Sequence, residues 1–104
     1  MPTKALSSTR QYLAKIRGGP LTFGRMIESI RLSDEISQVE LAKRLGISRA
    51  HLCDIEKGRR LATPQRAAKF AEVLGYSVTQ FVATAIEDQL RRAGIHLKVK
   101  LEAA

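Results

Sequence analysis

The chain is short of cysteine, of acidic residues and of long apolar runs, and each shortage removes a class of protein. Cys53 stands alone and cannot close an internal disulfide, which fits a reducing cytoplasm rather than a disulfide-stapled secreted scaffold. No apolar segment reaches the length of a membrane span. The start, M-P-T-K-A-L-S-S, has no long apolar h-region, so secretion is not expected either. Enzyme signatures are missing: there is no Gly-rich phosphate loop, no H-E-x-x-H and no G-x-S-x-G. His51 and His96 have no nearby cysteine or carboxylate cluster at metal-ligand spacing, so no metal, cofactor or catalysis is expected. His51 is better suited to a phosphate or solvent, and His96 to the polar side of an extended segment.

What the chain has is positive charge. Eighteen Lys and Arg against 10 Asp and Glu give 104 residues a net charge of +8 and a pI near 10.3. A surplus of that size in one small domain points to nucleic acid or another anionic surface. The basic residues recur along the chain rather than forming one tail, and 44% hydrophobic content is ordinary for a folded core, so a disordered polycation is not expected.

The stretch from Ser37 to Gly58 organises the rest. Ser37 is a good N-cap, Glu40 completes an S-x-x-E capping box, and Ile36 with Leu41 can close a hydrophobic staple. A helix from there runs through Leu45 and stops at Gly46. Ser48 restarts a helix at once, with Ile47 and Leu52 as a second staple, and Gly58 ends it after Lys57. Leu41, Ala42 and Leu45 share one face of the first helix, and Leu52 and Ile55 one face of the second. The opposite face of the second helix carries Arg49, Ala50, Cys53, Asp54 and Lys57. Helix, glycine-containing turn and helix make a helix-turn-helix, although spacing alone also fits a helical hairpin in an ordinary bundle.

Ser37-Gln38, Glu40-Leu41-Ala42, Gly46-Ile47-Ser48 and Ile55-Glu56-x-Gly58 resemble the motif of the phage repressor and Cro proteins and their bacterial Xre-type relatives. The resemblance extends from about residue 22 to residue 90. It implies a mainly α fold, a lambda-repressor-like bundle of about five helices across residues 21–93. It also implies an ion pair between Arg31 and Glu56, and a Gln38 that contacts the DNA backbone and helps orient the reading side chains.

A helix-turn-helix presents the start of its second helix to the major groove while neighbouring groups grip phosphates. Arg49 is the best base reader, because its fork matches guanine O6 and N7. Ala50 can pack on a thymine methyl. Asp54 can accept from cytosine N4 or hold Arg49 in place. Ser48, His51, Lys57, Arg59 and Arg60 are candidates for the backbone. Ala50 and Asp54 depart from the phage pattern, where amide side chains would read adenine, so no operator sequence carries over.

The flanks read differently. Residues 1–20 form a basic arm holding Lys4, Arg10, Lys15 and Arg17, in which Ser8 can cap a short helix before Gly18-Gly19-Pro20 breaks it. Thr22, Thr63 and Ser77 each open a further helix, with Pro64 at a first helical position. The last helix has a long apolar stripe around Phe81, Val82 and Ile86. After Gly94, Ile95, Leu97, Val99 and Leu101 alternate with polar residues across 94–104, a half-buried β-strand by pattern. A lone strand needs a partner, so these seven apolar residues are expected at a homodimer interface. The function expected is a sequence-specific repressor bound as a homodimer to a palindrome in double-stranded DNA. The alternative is an antitoxin that binds a protein toxin and represses its own operon. A weaker third is an accessory module recruiting a partner through residues 1–20.

Overall fold

The computed structural model describes residues 21–104, and the expected arm, residues 1–20, lies outside them. Five helices follow in order: α1 (Phe23–Ser33), α2 (Gln38–Leu45), α3 (Arg49–Glu56), α4 (Pro64–Leu74) and α5 (Val78–Arg92). Each starts at a Ser or Thr whose side-chain oxygen accepts an early N–H of its helix. The caps are Thr22, Ser37, Ser48, Thr63 and Ser77, each a position the sequence marks. Such a cap satisfies an N–H with no partner inside the helix and typically contributes about 1 kcal/mol. The capping box is only half made, because the Glu40 carboxylate accepts from Arg44 one turn on rather than reaching back to Ser37.

The apolar stripes converge on one core. Phe23, Met26 and Ile27 of α1, Leu41 of α2, Leu52 and Ile55 of α3, and Phe70 and Ala71 of α4 are all buried there. Phe23 sits at its centre, edge-on to Phe70 at 5.4 Å and to Phe81 at 5.9 Å. Such pairs add roughly 0.5–1.5 kcal/mol beyond the area they bury. α1 crosses α3 so closely that a Cβ on Gly24 would fall into the carbonyl oxygen of Ile55. The long-range contact that closes the bundle is polar: buried Asp88 of α5 accepts the Phe23 N–H at 2.8 Å, capping α1 from another helix.

Two expectations are corrected. Phe81, assigned to a dimer interface, is fully buried in the chain's own core, packed edge-on to Phe23 and stacked on Tyr76. The expected β-strand is absent: no strand occurs among the described residues, and 95–104 has no regular structure. A strand satisfies its backbone through a ladder partner, and the described residues offer it none. The tail folds back along α5 instead, with Ile95–Lys98 beside Glu87 and Arg91, and Lys98–Glu102 beside Thr79, Gln80 and Ala83. Val99 is half-buried, while Ile95, Leu97 and Leu101 are exposed. Among the described residues no helix is long and apolar enough to cross a membrane.

Candidate nucleic-acid interface

The α2–α3 unit is set by local chemistry at its corner. Gly46 adopts φ +71°, where a side chain is strained, and Ser48 then accepts the His51 N–H at 3.0 Å to start α3. Only one residue, Ile47, separates these two, so the corner is tight, and the Ile47 N–H returns to the Ala42 carbonyl at 3.0 Å. The result is a first turn of α3 that stands clear of the domain, with Ser48, Arg49 and Ala50 all exposed and His51 half-buried.

The far end of α3 is locked into the domain. Glu56 is buried and accepts two hydrogen bonds from Arg31 of α1, at 2.8 Å from Nε and 3.1 Å from Nη2. Gln38 at the start of α2 donates its amide to the same carboxylate at 2.9 Å, and Arg31 also donates to the Ile36 carbonyl at 3.0 Å. The Glu56 hydrogen bond holds the Arg31 guanidinium above its already high ordinary pKa. One buried carboxylate thus ties together α1, α3 and the start of α2. Gln38, expected at the DNA backbone, has its amide nitrogen committed inward, which makes it a brace for the α2–α3 corner.

The expected backbone contacts divide. Arg60 is exposed. Lys57 bridges to Glu28 of α1 at 3.1 Å. Arg59 donates from Nε to Asp54 at 2.8 Å and from Nη2 to the Cys53 sulfur at 3.5 Å. Asp54 therefore holds Arg59, not Arg49. The cause is Gly58, whose φ of +79° turns the chain back so that the N–H groups of Arg59 and Arg60 both reach the Asp54 carbonyl. Asp54 lowers the local negative charge it presents by sharing it with Arg59, and the same pairing raises the Arg59 pKa.

Two residues were missed from the sequence. Arg66 lies in the first turn of α4, and its charge reaches His51: partial burial first, then Arg60 and Arg66, push the His51 pKa below its ordinary 6.5, while Asp54 opposes them. Its position just after Thr63-Pro64 was the available signal. Arg92, in the last turn of α5, donates to the Gly58 carbonyl at 2.8 Å, and no local pattern announces a bond across that span. No group of three His, Cys, Asp or Glu that could hold a metal ion occurs among the described residues.

Comparison with known proteins agrees with this geometry. A family model described as helix-turn-helix matches residues 27–81. The ImmF control region 10 kDa protein of Bacillus phage phi105 is 33% identical over 64 residues, which cover 62% of this chain and 71% of that protein. The immunity repressor protein of the same phage is 34% identical over 62 residues, 60% of this chain but 43% of the repressor. No solved structure matches the chain.

Proposed function

The chain belongs to the Xre-like helix-turn-helix family of DNA-binding regulators, and on that premise we propose that it is a sequence-specific repressor acting as a homodimer on a palindromic operator. The observation that carries this is the exposed first turn of α3, held out by the Ser48 cap at one end and anchored through buried Glu56 at the other. A rigid helix with Arg49 and Ala50 at its free end suits direct reading in the major groove. Arg49 addresses guanine and Ala50 a thymine methyl, while Asp54 keeps one carboxylate oxygen for a cytosine amine. Ser48, His51 and Arg60 grip phosphates, joined by Arg66. Lys57 and Arg59 join them by exchanging their carboxylate partners for phosphate, and Gln38 braces the reading helix through its bond to Glu56.

Dimerisation uses the surface that the tail leaves apolar: Ile95, Leu97 and Leu101 are exposed, with Val99, Val82 and Ile86 half-buried beside them. One head reads few base pairs, and two heads about 34 Å apart multiply the specificity. The same apolar tail also favours a second reading, an antitoxin whose tail covers a protein toxin. A truncation after Ala93 separates the two. Loss of the dimer and of palindrome affinity supports the first, and an unchanged dimer that no longer binds a partner protein supports the second.

Two substitutions test the DNA reading. Arg60→Ala should weaken all duplexes alike and flatten the log–log salt slope by about 0.9, the release expected per phosphate contact. Arg49→Ala should cost about 1–3 kcal/mol on the preferred site and relax discrimination at one base pair. Equal losses on preferred and random DNA from both substitutions refute the division of roles.

A further inference from the structure

The segment that leaves the recognition helix carries Arg59 and Arg60 over an open space. A cavity of about 220 Å³ lies behind it, lined by Phe23, Ile55, Gly58, Arg60, Leu61 and Arg92 among others. The chain regains the core only at Ala62. Gly58, Arg59 and Arg60 are all exposed, so among the described residues hydrogen bonds rather than packing hold the segment in place.

Most of those bonds return to α3 itself. The Gly58 N–H donates to the Ile55 carbonyl at 3.2 Å, and those of Arg59 and Arg60 to the Asp54 carbonyl at 2.9 and 3.2 Å. The Arg59 side chain goes back to Asp54 as well. These bonds shape the turn but fix it only to its own helix. Lys57 reaches α1 through Glu28 at the near end. In the middle, among the described residues, the bond to another element is the one from Arg92 Nη2 to the Gly58 carbonyl, at 2.8 Å. Arg92 is anchored in the last turn of α5, outside the helix-turn-helix, and its residue is exposed, so its removal disturbs no core packing.

We propose that Arg92 is a positioning residue for DNA binding: by spanning the cavity to the Gly58 carbonyl it holds the Arg59–Arg60 segment where those side chains meet the DNA backbone. The proposal rests on the DNA-binding reading above. Arg92 acts through the segment and does not itself hold a phosphate.

The test compares Arg92→Ala and Arg92→Lys with the unaltered chain in two measurements. The first is affinity for a preferred and a random duplex over a series of salt concentrations. The second is amide hydrogen exchange of Arg59 and Arg60 in the free protein. Arg92→Ala should weaken both duplexes by about 2- to 12-fold, the worth of one net hydrogen bond. Its salt slope should stay the same, because no phosphate contact is lost. Exchange at Arg59 and Arg60 should accelerate without DNA present. Arg92→Lys, which can still donate one bond to Gly58, should recover most of both effects. Unchanged affinity overturns the proposal, as does unchanged exchange. A slope reduced by about 0.9 also overturns it, since Arg92 would then be a phosphate contact in its own right. If the unaltered chain binds neither duplex, the DNA reading fails while the exchange measurement still decides whether Arg92 holds the segment.

Discussion

Removing Arg31 should damage this protein more than removing any other surface-proximal cation. Its partner Glu56 has a side chain with 0% exposure, and Arg31 itself retains only 10%. Arg31→Met keeps much of the volume but leaves the buried carboxylate with the Gln38 amide alone, and leaves the Ile36 carbonyl without its donor. Breaking one side of a buried pair costs about 3–5 kcal/mol, because the remaining charge stays desolvated. Against a total of about 5–15 kcal/mol for a domain of this kind, that is about a fifth of the stability or more. It corresponds to a Tm lowered by more than about 12 °C at the usual 4–8 °C per kcal/mol for a small domain. Urea unfolding followed by far-UV circular dichroism measures it directly. The double variant Arg31→Met, Glu56→Met should recover most of the loss, since it removes the stranded charge as well as the pair. A single variant that loses under about 1 kcal/mol behaves as an exposed pair would, and refutes the claim that Glu56 is the buried anchor of the recognition helix.

Three further outcomes follow from named groups. Glu35 sits at φ +55° between α1 and α2, a left-handed position that costs a residue with a Cβ roughly 1–2 kcal/mol; Glu35→Gly should therefore stabilise by up to about 1 kcal/mol after glycine's greater unfolded freedom is deducted, read by the same urea midpoint. Burial pushes the Asp88 carboxyl above its ordinary 3.8, opposed by the Phe23 N–H and Arg91. The folded state then holds that proton more tightly than the unfolded one, so stability falls as pH rises from 3.8 through the raised value; Asp88→Asn should remove this fall, so its stability relative to the unaltered chain improves across that window. His51 has a lowered pKa in the free protein, and a phosphate beside it raises that pKa, so DNA binding should take up a proton and tighten as pH falls toward that lowered value. His51→Gln should abolish that dependence, and an unchanged pH profile in that variant removes His51 from the phosphate contacts.

The parts of this fold that were legible in the sequence are those governed by neighbours in the chain. Thr22, Ser37, Ser48, Thr63 and Ser77 cap helices because a short hydroxyl reaches an N–H within its own first turn. Gly46 and Gly58 mark turns because few other residues accept their backbone angles. The apolar stripe of α5 was equally legible as a stripe, but periodicity says which face is apolar and not what covers it. Phe81 went to Phe23 rather than to a second copy. The alternation after Gly94 was misleading for a related reason, since a period of two describes side chains and says nothing about whether a ladder partner exists. Asp88 with Phe23, and Arg92 with Gly58, join residues 65 and 34 positions apart. Such bonds depend on how the helices cross, which no local pattern encodes.

Selection of binding sites from a pool of randomised double-stranded DNA tests the central claim most directly. A chain whose exposed α3 turn reads bases should enrich one sequence with two related halves, their centres about one helical turn apart. Repeating the selection with Arg49→Ala should lose preference at one position in each half and keep the rest. Enrichment of no sequence at all, or a preferred site unchanged by Arg49→Ala, contradicts the assignment of α3 as the reading helix.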